Sequence, residues 1–325
     1  MRKRSKLLLL CGGIIIVLGL IVCVVGAIMA NTSGDKLFAT KTDKGYVYTY
    51  SFSGDEINKV SLDVTDASVN IIGGAEKSCI ELCNFDENYY SFTMTNRIIQ
   101  FKESGDLKGL LSFWENGFTF KGMRYIFKLG GGSGEKEVNI YLADGDYVKN
   151  FTVEVDKGEI NISDLSTLTD YNMTTGGGSV IMNNVETESI VTVNAPEAST
   201  LDIKLTDVSC SALNVNAAKA RLVSDRLSFG SGAVGITNGS AQIDFLPQFD
   251  YFKVSVKASG KLTVNETGYI DSFEFEKVPE VSGDGEGTSE NKPDDLPALT
   301  VNGRDLSVKL TGECFDDIAE DGETE

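Results

Sequence analysis

From about Val148 to Gly268 the chain repeats one pattern six times, and few folds accept such a pattern. Each unit opens with apolar residues at alternate positions: Phe151, Val153 and Val155; Tyr171 and Met173; Val191 and Val193; Leu213 and Val215; Val234 and Ile236; Phe252, Val254 and Val256. A small residue then stands two places ahead of another apolar one: Gly158 with Ile160, Gly178 with Val180, Ser199 with Leu201, Ala220 with Leu222, Gly239 with Ala241, Gly260 with Leu262. These small residues lie 20, 21, 21, 19 and 21 positions apart. Alternation by two means strands with one buried face, and a steady spacing means structural copies that stack. Asp164-Leu165, Asn184-Val185 and Asp207-Val208 add turn chemistry after the second strand of three units. The pattern predicts an all-β, parallel β-helix-like solenoid with Ile160, Val180, Leu201 and Leu222 in one inward column. A β-sandwich is the alternative, since its strands also recur every 8 to 12 residues or about that. The Val, Ile, Thr and Gly content and the lack of a sustained 3.6-residue period argue against helix.

Around the array the reading assigns residues 60–278 to one repetitive β domain. Val60, Leu62 and Val64 followed by Val69 and Ile71 form a further unit, and an insertion at about 76–137 separates it from the rest. That insertion holds Ile98, Ile99 and Phe101, then the aromatics Phe113, Trp114, Phe118, Phe120, Tyr125 and Phe127, read as a cap over the end of the stack. Residues 279–298 are Gly, Ser, Asp, Glu and Pro with little to bury, an acidic linker or loop. Residues 299–312 read as a terminal strand pair turning at Asn302-Gly303, and 313–325 as an acidic tail.

Leu7 to Ala30 is 24 residues without a charge, preceded by Arg2, Lys3, Arg4 and Lys6. About 20 apolar residues cross a bilayer, and the basic cluster keeps residues 1–6 in the cytoplasm. Residues 7–30 therefore read as a transmembrane anchor and 31–59 as a juxtamembrane segment, with the β domain extracellular. A cleaved signal peptide is the alternative, but its apolar region should be shorter.

Composition excludes several functions. With 48 acidic against 29 basic residues and a formal charge of -19, a nucleic acid is a repelled partner. The absence of histidine removes Ser-His-Asp and Cys-His catalysis and His-ligated zinc. The six cysteines show neither metal spacing nor a disulfide framework: Cys11 and Cys23 sit in the anchor, and Cys79 and Cys83 are too far apart along a strand to bridge. The run Gly130 to Lys136 lacks the ending of a phosphate loop. Asp144 with Asp146, and Asp316 with Asp317, lack calcium-loop spacing. No catalytic, cofactor-binding or metal-binding residue is assigned, and no cofactor is expected.

The opening strand Val60 to Ile72, the lead-in Glu137-Val138-Asn139-Ile140-Tyr141-Leu142, and the steps Lys157-Gly158-Glu159-Ile160 and Gly177-Gly178-Ser179-Val180 carry a resemblance. Over about Val60 to Leu310 the chain resembles a bacterial putative-adhesin family of repetitive β domains of unknown function. Ala143-Asp144-Gly145 departs from that pattern, where the family usually has proline. The resemblance implies a stacked β fold and a surface location, and it carries over no site residues.

The leading functional expectation is a membrane-anchored, surface-displayed, non-enzymatic scaffold for adhesion or binding, with a cell-wall polymer or a surface protein as partner. A lyase or glycosidase acting on polysaccharide is one alternative, for which Arg221, Asp225 and Arg226 are the only charged cluster in the array. An envelope-sensing partner protein is the other, with Gly12, Gly13, Gly19 and Gly26 offering close helix packing in the bilayer.

Overall fold

The computed structural model describes residues 40–42, 45–52, 57–85, 90–103, 135–146, 148–197, 200–244, 252–277 and 297–311. The expected anchor, the aromatics from Phe113 to Phe127, the glycine run, the acidic tail and all but the end of the linker lie outside them. Among the described residues no helix is long and apolar enough to cross a membrane.

Ahead of the array come β1 (Thr40–Thr42), β2 (Gly45–Ser51), β3 (Lys59–Asp66), β4 (Ser68–Ala75), β5 (Cys79–Cys83), β6 (Tyr90–Thr95), β7 (Ile98–Glu103) and β8 (Glu137–Ala143). The array itself is β9 (Asn150–Thr167), β10 (Asp170–Thr175), β11 (Gly178–Thr187), β12 (Ile190–Ala195) and β13 (Leu201–Asp244). β14 (Phe252–Ala258), β15 (Leu262–Val264), β16 (Thr267–Tyr269), β17 (Ser272–Lys277) and β18 (Ala298–Thr311) follow. All belong to one sheet, which coils because each strand pairs in parallel with the equivalent strand one repeat away.

The four coils from β9 into β13 have two main sides and a short third one. On the first side Phe151 lies opposite Tyr171, Tyr171 opposite Val191 and Val191 opposite Leu213, all inward and buried. On the second side Ile160 lies opposite Val180. The third side begins at a left-handed residue, Asp164 (φ 57°), Asn184 (φ 54°), Asp207 (φ 52°) or Arg226 (φ 55°), and each is followed by a buried apolar residue: Leu165, Val185, Val208 or Leu227. This parallel arrangement is a β-solenoid and leaves no place for the two facing antiparallel sheets of a sandwich.

The expected inward column needs one correction. Val180 faces Ile203, and Leu201 faces Gly178. Counting back four residues from each left-handed position gives Ile160, Val180, Ile203 and Leu222, so the column is displaced by two at its third member. Leu201 is buried all the same, because a two-residue slip leaves a side chain on the same face.

Stacking does not follow chain order at either end. The coil of β3 and β4 sits between β9 on one side and β7 with β8 on the other. Ile98–Glu103, expected within an insertion, is thus part of the stack. β18 likewise lies between Ser231–Asp244 of β13 and the pair β14 and β15. The Asn302-Gly303 step is therefore a corner of one coil and not a hairpin: Leu299 and Leu306 occupy successive sides of that coil. The sixth repeat stacks on β18 instead of the fifth repeat.

Antiparallel strands flank both ends, so the outermost strands β6, β16 and β17 are short ones of six, three and six residues. β6 covers β7 and β5 covers β8, while β17 covers β14 and β16 covers β15. Aromatic rings fill the first cap: Phe85 meets Phe101 edge-on at 4.9 Å, and Tyr50 stacks on Phe92 at 4.1 Å.

Inside, Phe151 and Tyr171 stack with ring centroids 5.8 Å apart, and the Tyr171 hydroxyl shares a 3.4 Å hydrogen bond with Thr167. Thr167 donates to Thr169, and Thr169 donates to the Val148 carbonyl, at 2.7 and 2.6 Å. Burial pushes the Tyr171 phenol up to about 12, against a smaller downward pull from its threonine neighbours. In the unfolded chain the phenol ionises near 10, so between pH 10 and 12 or thereabouts the unfolded state sheds a proton that the native state keeps. Stability should then fall by roughly 3 kcal/mol over that window and level off above it. The Tyr171→Phe variant should lack that share of the loss, as urea unfolding of both proteins from pH 8 to pH 12 or so would show.

Left-handed backbone costs about 1–2 kcal/mol for most side chains and least for Gly, Asn and Asp. Asn184 also donates to Asp164 Oδ1 at 2.9 Å. Asn184→Val should lower the unfolding free energy by about 2 kcal/mol, with Asn184→Gly within about 0.5 kcal/mol of wild type, measured by urea titration.

Candidate binding face

Outward side chains stack as the inward ones do, so every coil position becomes a row running along the stack. The rows differ in whether their hydrogen bonds close within the protein.

One row on the second side is closed. Asn161 Nδ2 donates to Asn70 Oδ1 at 2.9 Å, and Asn70 Nδ2 donates to Asn139 Oδ1 at 2.7 Å. Asn139 is almost wholly buried and spends its own amide on Cys83 Sγ at 3.6 Å and Glu137 Oε2 at 3.4 Å. These asparagines clamp three coils together. The row of left-handed corners is closed as well, through the Asn184–Asp164 bond and the ion pair of Arg226 with Asp207. The Arg226 guanidinium holds the Asp207 carboxyl below its ordinary value. Both groups are exposed, so the pair adds little to stability.

Two rows on the first side are open past their first coils, where Lys102 pairs with Asp63. The first runs Gln100, Ser61, Thr152, Asn172, Thr192, Asn214, and the second runs Lys102, Asp63, Glu154, Thr174, Asn194, Asn216. Past Glu154 the next three coils present only threonines and asparagines, brought outward by the segments Tyr171-Asn172-Met173-Thr174, Val191-Thr192-Val193-Asn194 and Leu213-Asn214-Val215-Asn216, whose apolar members face the core, and farther along the side come Ala233 and Gly235, then Thr300 and Asn302, then Ser255 and Lys257. Thr152 donates to Asn150 Oδ1 at 2.9 Å. The side chains of Asn172, Thr174, Thr192, Asn194, Asn214 and Asn216 make no hydrogen bond with described residues and all reach the surface. Neighbouring coils lie about 4.8 Å apart and alternate residues about 6.6 Å apart, so these groups form a flat, regular lattice.

The charged residues singled out from the sequence do not converge on a reacting centre. Arg226 is engaged at its corner with Asp207, and Arg221 and Asp225 are exposed on the second side of the same coil. Asp146 accepts a 2.5 Å hydrogen bond from Ser78 Oγ, which places it in a braced turn, and Asp316 and Asp317 lie outside the described residues. Among the described residues no cluster of three or more Cys, Asp or Glu has metal-binding geometry. Cys79 and Cys210 are free thiols.

The threonine and asparagine lattice was visible in the sequence only as polar alternation. Its signal was the recurrence of Thr or Asn at 152, 172, 192 and 214, in step with the apolar repeat.

The coil geometry defines a β-solenoid repeat module. The chain belongs to the Toastrack DUF4097 family, whose profile matches residues 57–286. No curated protein matches it in sequence. Among solved structures it is similar to a putative adhesin from Bacteroides fragilis, at 9% identity and a TM-score of 0.47, over 85% of this chain and 100% of that one. It is also similar to a putative cell adhesion protein from Clostridium sporogenes, at 11% identity and a TM-score of 0.31, over 81% of this chain and 97% of that one. A putative adhesin from Parabacteroides distasonis matches at 9% identity and a TM-score of 0.26, over 82% of this chain and 97% of that one.

Burial pushes the Cys210 thiol up to about 12, so at pH 8 it holds almost no thiolate, the nucleophilic form. Iodoacetamide should modify Cys210 at least 100-fold more slowly in the native protein than in concentrated urea, by about the margin its thiolate fraction implies, as read by mass spectrometry of its peptide.

Proposed function

We propose that this protein is a non-enzymatic binding module displayed on the outer surface of a membrane, with residues 7–30 as its anchor and residues 1–6 in the cytoplasm. The observation that carries the binding reading is the open lattice of the first side. Six side chains stand in two straight rows with their hydrogen-bonding groups turned to solvent, while equivalent asparagines on the second side are used up in bracing coils. A rigid sheet that holds such groups in fixed positions loses little entropy when it binds. The surface location is supported by the uncharged run from Leu7 to Ala30 behind four basic residues.

Two measurements test this. Asp202→Cys places a thiol on the exposed second side, and a membrane-impermeant maleimide should label it on intact cells as fully as on lysed ones. Labelling only after lysis would put the stack inside. Cells displaying the full chain should retain added envelope fragments or surface proteins, whereas cells carrying residues 1–39 alone should not. Equal retention by both would end the binding reading.

A further inference from the structure

We propose that the uncharged lattice of the first side docks a neutral, linear polysaccharide laid along the stack, an inference that rests on the binding reading above and names its ligand class. Three features of the lattice select that chemistry.

The first is the type of hydrogen bond on offer. A threonine hydroxyl both donates and accepts, and an asparagine amide presents a donor and an acceptor side by side. Sugar hydroxyls have the same dual character, so either partner can adjust to the other. The second feature is charge. The chain carries a formal charge of -19, yet from Thr174 through Asn194 to Asn216, and from Thr152 through Asn172 and Thr192 to Asn214, there is no ionisable side chain. An anionic polymer would be repelled by the protein as a whole and would find no cation within this uncharged stretch, whose row reaches a lysine only at its two ends, Lys102 paired with Asp63 and Lys257 past Asn302. A cationic one would settle on the acidic remainder of the surface. Only an uncharged chain prefers this patch.

The third feature is regularity. Equivalent groups recur from coil to coil about every 4.8 Å, so a polymer of identical units can make the same contact several times, and weak contacts then add. A second copy of the protein is a poor occupant, since the lattice has no apolar side chain to form the dry centre of a dimer interface.

Native affinity electrophoresis of the full-length chain tests the idea, with hydroxyethylcellulose, xyloglucan, galactomannan and a β-1,3-glucan in separate gels and polygalacturonate as the anionic control. At least one neutral polymer should retard the wild type. The double variant Asn172→Asp with Asn194→Asp should need at least tenfold more of it, and Thr192→Val, which removes a hydroxyl at constant shape, should also weaken retardation. Asp202→Asn on the second side should leave it unchanged. All three variants lie at exposed or half-exposed positions, and matching circular dichroism and urea midpoints would establish that they fold. Retardation by no neutral polymer, by polygalacturonate alone, or equally in all variants would overturn the proposal. So would a dimer in analytical ultracentrifugation that the double variant dissolves, because the lattice would then be covered by a second copy. If cells displaying the chain still hold envelope fragments while every neutral polymer fails, the ligand class is wrong and the binding module stands. If both assays fail, the module reading falls too.

Discussion

Everything in this molecule depends on parallel strands staying in register across a stack of coils. Each backbone group pairs with its counterpart in the coils above and below, and each inward side chain lands on an apolar one. Phe151 on Tyr171 and Ile160 on Val180 repeat that event along the axis. Burying one such side chain is worth about 1.5–3 kcal/mol, whereas an exposed pair such as Arg226 with Asp207 adds about 0–1 kcal/mol. Register is therefore set from within, and the surface charges follow it.

What keeps register when repeat length varies is the left-handed corner. Asp164, Asn184, Asp207 and Arg226 are not evenly spaced in sequence, yet each turns the chain from the second side into the third. Asp207 follows Asn184 by 23 residues where Asn184 follows Asp164 by 20, and it still falls beside Asn184. Short polar side chains tolerate that backbone conformation best, which explains the first three positions. Arg226 has no such tolerance. It occupies the position all the same, with its guanidinium reaching back to the carboxylate one coil away.

The all-β class, the period and the inside-outside parity were legible because alternation reports burial directly. The pairing of particular residues was less so. Parity cannot distinguish Leu201 from Ile203 as the partner of Val180, since both face inward, and the small residue Ser199 pointed to the wrong one. The Asx positions held the better signal, because their conformation ties them to a fixed place in the coil. Chain order misled at both ends for a different reason. One apolar coil fits against another whatever their order, and closing a long connection costs only slightly more than closing a short one. The coil Lys59–Ala75 can therefore lie between strands that come later in the chain, and β18 can reach back past β14.

Stacking also explains why one side of the molecule keeps unbonded polar groups at its surface and another does not. A solenoid repeats its outward positions as strictly as its inward ones, so any row becomes either a brace or an array. Asn139, Asn70 and Asn161 show the first outcome: a partly enclosed position where each amide finds the next one. Asn172, Asn194, Asn214 and Asn216 show the second: threonine separates Asn172 from Asn214, and on the open strand face even the neighbours Asn194 and Asn216 leave their amides unbonded to each other. Fold stability asks only for polar side chains at these sites, and almost any would serve on an exposed strand face. An uncharged lattice on so acidic a protein is more than stacking alone requires, and that surplus is where a binding function has room to reside.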